Sequence, residues 1–257
     1  MWWLLLFLCL LGSILVTYMR FCAEHDHLNK KKIICHSLKR NETLRLFFIS
    51  DIHNRALEAQ TFNDVEHVDL VIIGGDLVDQ RTTERRLRQN LSILSQWGAP
   101  IYFVPGNNDH EWRYGSLIDF LEGLNVKTIS NEDQFITFEN GIKIMVRGLD
   151  PYFMKPYNKA SDVKGTNDLL QILCVHDPYV FKRMNQKGHE NFDLVLSGHT
   201  HGGQIRIFGY GPYERGGWKA EGGRSSLISE GYGTSLLPLR LGTKAECHWI
   251  ELTSNEE

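Results

Sequence analysis

The chain opens on an unbroken apolar run, WWLLLFLCLLGSILVTYM, over residues 2–19, with no charge in it. At 1.5 Å per residue such a helix is about 27 Å long, enough to cross a hydrocarbon core. The run predicts one N-terminal transmembrane helix. No Lys or Arg precedes it, and Arg20-Phe21-Cys22-Ala23-Glu24 offers a poor cleavage site, so a retained anchor is expected over a cleaved signal. Arg20, Lys30, Lys31, Lys32, Lys39 and Arg40 follow the run. Lysine and arginine favour the cytoplasmic flank, which predicts a single-pass protein of the cell membrane with its domain in the cytoplasm. Residues 20–43, polar and Lys-rich, read as a linker, and residues 44–257 as the folded domain.

Past the linker the pattern becomes short apolar runs set between polar stretches. Leu44-Arg45-Leu46-Phe47-Phe48-Ile49, Asp69-Leu70-Val71-Ile72-Ile73 and Pro100-Ile101-Tyr102-Phe103-Val104 read as strands. Residues 58–66 leave room for a helix between the first two. Residues 82–96 put Leu87, Leu91 and Leu94 on one face and arginines on the other, an amphipathic helix starting near Thr82 or Thr83. Alternating strands and helices with continuously apolar strands predict an α/β fold whose central strands are covered on both faces. Further on, residues 133–138 and 142–147, joined through Glu139-Asn140-Gly141, predict a β-hairpin. Residues 169–175, 193–196, 226–229 and 247–252 are further strand candidates, and the glycine-rich stretch 202–233 reads as loop.

Composition narrows this little. A chain of 257 residues suits one large domain or two small ones, and a net charge of −3 excludes a strongly basic nucleic-acid binder or an acidic disordered chain. The basic residues outside the linker gather only at Arg85-Arg86-Leu87-Arg88, so no nucleic-acid partner is expected. Cys9, Cys22, Cys35, Cys174 and Cys247 are odd in number, scattered and without a CxxC pair, which argues against a disulfide framework.

The polar residues after the strands change the picture. One strand ends in Asp51-Ile52-His53, the next in Gly75-Asp76-Leu77-Val78-Asp79, the third in Gly106-Asn107-Asn108-Asp109, and later ones in His176-Asp177 and Gly198-His199-Thr200-His201. In open α/β sheets the functional crevice lies beyond the carboxyl ends of the strands. Carboxylate, amide oxygen and imidazole converging there suit Mn2+, Fe2+ or Zn2+ better than Ca2+ or a thiolate-bound metal. The donors exceed the needs of one ion, and a shared carboxylate can hold two ions for phosphoryl chemistry.

These motifs resemble the D-x-H, G-D-x-x-D, G-N-H-D/E, lone His and G-H-x-H series of the calcineurin-like metallophosphoesterases. Ser197 to Gln204, SGHTHGGQ, is similar to the membrane-anchored bacterial branch. The resemblance implies a four-layer α/β/β/α sandwich. It implies a first metal on Asp51, His53 and His201, a second on Asn107, His176 and His199, and Asp76 bridging the two, with Mn2+ the first choice. It implies hydrolysis of a phosphomonoester or phosphodiester by hydroxide between the metals, here on a substrate that could be membrane-associated. Asn108 stands where the family usually has a histidine that steadies the phosphate or protonates the leaving group; an amide can donate a hydrogen bond but cannot give up a proton near pH 7. His110, two residues on, is the substitute candidate. Asp79 and Asp109 are expected to orient ligating imidazoles or cap a helix. Arg206 and Arg215 could meet phosphate oxygens, and Tyr210, Tyr213 and Trp218 could wall a lipid or nucleoside site or simply pack their loop. The competing readings are a nuclease or cyclic-nucleotide phosphodiesterase on the same fold, and a non-enzymatic metal-binding membrane protein.

Overall fold

A computed structural model of the chain describes residues 1–152, 154, 169–185 and 192–254. Its first element, α1 (Trp2–Glu24), is 23 residues long and exposed along almost its whole length. It is one helix long and apolar enough, by length and composition, to cross a membrane. Among the described residues, its last two turns meet the rest of the chain. Met19 and Ala23 are buried there, and the Arg240 amide donates to the Met19 carbonyl at 2.9 Å.

Two six-stranded sheets face each other. The first runs β1 (Asp26–Ile34), β12 (Ala245–Thr253), β2 (Thr43–Ile49), β3 (Leu70–Ile73), β4 (Ile101–Phe103), β5 (Val126–Thr128). The second runs β10 (Gly217–Glu221), β11 (Arg224–Ile228), β9 (Leu194–Ser197), β8 (Leu170–Val175), β7 (Lys143–Leu149), β6 (Glu132–Thr137). Between them Leu44, Leu46, Phe48, Leu70 and Ile72 meet Ile144, Val146, Ile172, Cys174 and Leu196 in one apolar core. The alternate residues of each strand point outward. Phe47, Ile49, Val71 and Ile73 pack under α2 (Glu84–Leu94) and α3 (Leu117–Glu122). Met145, Leu173 and Val195 pack under Phe181 of α4 (Pro178–Asn185). The result is the four-layer α/β/β/α sandwich expected from the sequence.

The predicted amphipathic helix is α2, its buried face formed by Leu87, Leu91 and Leu94 and its N-terminus capped by Thr83, which accepts from the Arg86 amide. The hairpin of β6 and β7 is also as expected. Two expectations need correction. Residues 58–66 hold only a 3₁₀ turn, Ala59–Phe62, although Phe62 and Val65 pack into the core. The supposed linker is largely structure: α1 continues to Glu24, and Asp26–Ile34 is an edge strand in parallel register with β12, Asp26 opposite Ala245 and Ile34 opposite Thr253. Three consecutive lysines disguise it, yet charge on an edge strand is what keeps such an edge from pairing with another molecule.

Strand directions set where the chemistry lies. β2, β3 and β4 are mutually parallel, so their carboxyl ends share one sheet edge; β8 and β9, also parallel, end beside them. β12 runs antiparallel to β2 and β1 parallel to β12. The start of β1, and with it the end of α1, therefore lies at that same edge.

Candidate metal centre

Five strand ends carry seven polar side chains, and the fold brings all seven together. Asp51, His53 and His201 form one buried group of donor atoms within 4.8 Å of one another; Asp76, His176 and His199 form a second. Asn107 joins the second through its Oδ1, 2.9 Å from His199 Nδ1. Asp76 lies between the groups, its Oδ2 3.3 Å from His176 Nε2 and 3.9 Å from His53 Nε2.

Sharp turns make this convergence possible. Asp51, His53, Asp76, His199 and His201 all have positive φ, between 47° and 70°. Non-glycine residues rarely hold that conformation, and clusters of it mark sites where geometry outranks backbone comfort. The turns are also pressed together. A Cβ on Gly106 would overlap the Asp76 backbone and carboxylate, and one on Gly198 would overlap Asp51 and Ser50.

Surrounding groups fix each side chain. Asp76 Oδ1 accepts from the Asn108 amide at 2.7 Å, which turns Oδ2 toward the histidines. Asp51 accepts from the His199 amide at 3.0 Å. His176 Nδ1 meets the Gly74 carbonyl at 2.8 Å and so carries its proton there, leaving Nε2 to face Asp76. Asp79 Oδ2 faces His53 Nδ1 at 3.6 Å. Asn107 donates through Nδ2 to Asn108 Oδ1 at 2.8 Å, which aims Asn107 Oδ1 inward. Asp109, fully buried, accepts from the amides of Asp76, Gly106 and Val78 at 2.8, 2.7 and 3.1 Å and ties the β3 and β4 turns together.

The donor set fits divalent cations. His53 Nε2 and His201 Nε2 oppose each other at 3.2 Å, and His176 Nε2 is buried without a hydrogen-bond partner. Buried ring nitrogens directed at one another beside two carboxylates are accounted for when a cation lies between them. Electrostatics agrees. Burial pulls the His176 imidazolium down, but the Asp76 and Asp51 charges outweigh it and push the group up to about 10. Burial likewise opposes ionisation of Asp76, yet His176 and His53 hold its carboxyl well below the usual range. His201 goes the other way: burial, reinforced by the Arg240 charge, lowers it to about 3.

The other sequence candidates separate. Asn108 lines a cleft of about 490 Å³ over the site, with Asp76, Asn107, His199, His201, Tyr213, Leu236 and Leu237. Its amide Nδ2 donates to Glu111 at 2.9 Å. His110 is exposed, its Nε2 2.9 Å from the Tyr152 carbonyl, and is not among the residues lining the cleft. The Arg206 guanidinium is bound to the carbonyls of Gly202, Gly209 and Tyr213. Arg215 pairs with Glu230 at 3.3 Å, and Trp218 packs at the border of the inter-sheet core. Sequence reasoning missed Arg240. Wholly buried, it donates to the carbonyls of Glu230, Gly231 and Gly233 and stands 3.3 Å from His201 Nδ1. Nothing in Leu239-Arg240-Leu241 distinguishes it from a solvated loop arginine.

The model of the calcineurin-like phosphoesterase family matches residues 44–203. An uncharacterized protein of Bacillus subtilis, YpbG, is 37% identical over 91% of this chain and 90% of its own length. An uncharacterized metallophosphoesterase of Helicobacter pylori is 29% identical over 83% of this chain and 61% of its own. A Bos taurus protein described as a transmembrane protein with metallophosphoesterase domain is 28% identical over 79% of this chain and 52% of its own.

Proposed function

The chain belongs to the calcineurin-like phosphoesterase family, and from that premise we propose that it is a dinuclear metal-dependent phosphoesterase held to a membrane by α1. In this reading Asp51, His53 and His201 hold one divalent cation, Asn107, His176 and His199 hold the other, and Asp76 serves both. The observation that carries it is the pair of donor groups meeting at Asp76. Once bound, the cations supply Lewis acidity that activates water and offsets charge growing on the phosphoryl oxygens.

The residues of the chain do the rest. Gly74 orients the His176 imidazole, the Asp79 carboxylate stands 3.6 Å from His53 Nδ1, and Asn108 holds Asn107. The cleft beside His199 admits a phosphoester, with Tyr213 on one wall and Leu236 and Leu237 on another. Asn108 cannot protonate a leaving group. That proton comes from water in this reading, so turnover falls steeply as the leaving group becomes more basic.

The anchor reading is supported by the length and composition of α1, and by the printed description of the Bos taurus relative. The basic flank after α1 supports a cytoplasmic domain in this reading. Digestion of the domain from outside intact cells refutes that topology. The activity is tested with bis(p-nitrophenyl) phosphate after removal of metal and reloading with Mn2+, Fe2+, Co2+ or Zn2+. Turnover that needs metal and vanishes in Asp76→Ala is expected; no turnover with any of the four refutes the reading and favours a metal-binding protein without activity.

A further inference from the structure

The cleft and the end of α1 share one sheet edge, and the chain between them is apolar and exposed. Residues 234–240 run from the cleft to the helix. Leu236 and Leu237 line the cleft, Pro238 and Thr234 share a hollow with Arg20, Ala23 and Glu24, and the Arg240 amide bonds to Met19. Leu237 is three residues from Arg240, so it lies within about 11 Å of that amide along the chain. The polar layer of a bilayer is itself about 5–7 Å thick on each side. If α1 spans the membrane, Leu237 is within reach of the surface.

A second loop stands beside the first. The Arg206 amide donates to the Leu241 carbonyl at 2.7 Å, and Ile205 bridges to Leu241. Ile207 and Tyr210 then exchange two 2.9 Å backbone bonds around Phe208-Gly209, a tight turn with φ of 51° and 84°. The Arg206 guanidinium clamps this turn from behind through Gly202, Gly209 and Tyr213. A well-braced turn thus holds Phe208 in a conformation phenylalanine disfavours, and leaves it 96% exposed. Ile207, Tyr210, Leu236 and Leu237 are exposed with it. Aromatic and aliphatic side chains presented this way suit the membrane interface, where tyrosine puts its ring in hydrocarbon and its hydroxyl in water.

The geometry points to a membrane-seated rim: residues 205–213 and 234–239 enter the bilayer interface beside α1, and the cleft takes a phosphoester whose acyl chains remain in the bilayer. This rests on the phosphoesterase and anchor readings above. In the reaction, water oxygen bonds to phosphorus, the ester P–O bond breaks, and a proton from the water passes to the departing alkoxide. The phosphate headgroup reaches the metal centre along the Leu236–Leu237 wall without the lipid leaving its layer.

The test uses the full chain, loaded with Mn2+, in vesicles of phosphatidylethanolamine and phosphatidylglycerol containing phosphatidic acid. Release of phosphate reports the monoester and release of glycerol or glycerol phosphate the diester. Bis(p-nitrophenyl) phosphate in the same vesicles reports the site alone. Ile207→Thr with Phe208→Asn keeps a residue that tolerates positive φ at the turn, and neither position lines the cleft. It is expected to cut lipid turnover at least about ten-fold and leave the soluble ester within two-fold. Phe208→Trp, corrected for the six native tryptophans, is expected to be quenched by lipids brominated near the headgroup. Turnover of the soluble ester with no lipid product, an equal loss on both substrates, or absence of quenching overturns the inference and leaves the phosphoesterase reading standing. No turnover of either substrate by the wild type counts against that earlier reading.

Discussion

Asp109→Asn tests whether the metal-centre turns are held as described. Asp109 is buried and lends two acceptor positions to the Asp76 and Gly106 amides and one to Val78. Burial and the Asp76 charge push its carboxyl up to about 8, so its hold on the turns is counted in acceptors rather than in charge. Asparagine keeps one oxygen. Turned to serve Asp76 and Gly106, it sets an NH2 against the Val78 amide and leaves that buried donor without a partner. One such donor costs about 1–3 kcal/mol. With the buried NH2 added, the loss comes to about 2–4 kcal/mol, or roughly 5–15 °C in Tm for a chain of this size. Thermal unfolding of the metal-free chain in detergent reads this directly. Activity falls as well, about a hundred-fold if the Asp76 turn moves by an ångström. A variant that melts within two degrees of the wild type refutes the account of Asp109 as the tie between the β3 and β4 turns.

Further outcomes follow from the same geometry. Asp76→Ala lowers occupancy of both cation positions, whereas His201→Ala lowers one, as metal analysis after desalting will show. In the metal-free site the raised His176 keeps its proton at neutral pH, and a cation must expel it. Affinity therefore rises about ten-fold per pH unit from 7 to 9, with about one proton released from this group per chain in calorimetry across buffers. The same raised group stabilises the metal-free chain fully below about pH 6.5, and that contribution is lost as pH climbs toward 10. Gly106→Ala forces Asp76 aside and removes metal binding while the far core still folds, seen as lost cation uptake with retained near-UV dichroism. Asn108→His flattens the dependence of turnover on leaving-group pKa; an unchanged slope shows that proton transfer at this position does not limit the reaction.

Much of this was readable in the sequence because strand and turn are written locally. Each donor follows an apolar run within a few residues, Asp76, Asn107, His199 and His201 with a glycine between, and parallel strands then have only one edge at which to place them. The inter-sheet core was equally legible from the apolar runs of β2, β3, β4, β8 and β9. What was hidden depends on distant partners. β1 is a strand only because β12, more than two hundred residues later, lies beside it, and its lysines carry the signature of a solvated segment. Arg240 owes its burial to four carbonyl and imidazole groups that converge only in the folded chain. The partners of Arg206 were hidden for the same reason: they are backbone oxygens of its own loop, which leave no trace in residue types.

The left-handed backbone at Asp51, His53, Asp76, His199 and His201 has a consequence for how such a chain changes over time. At about 1–2 kcal/mol apiece, these conformations make five functional positions ones that the bare fold would rather give to glycine or asparagine. A population screened only for heat resistance would drift toward those residues and lose its chemistry while gaining robustness. The histidines and aspartates persist there only under a demand for what they hold.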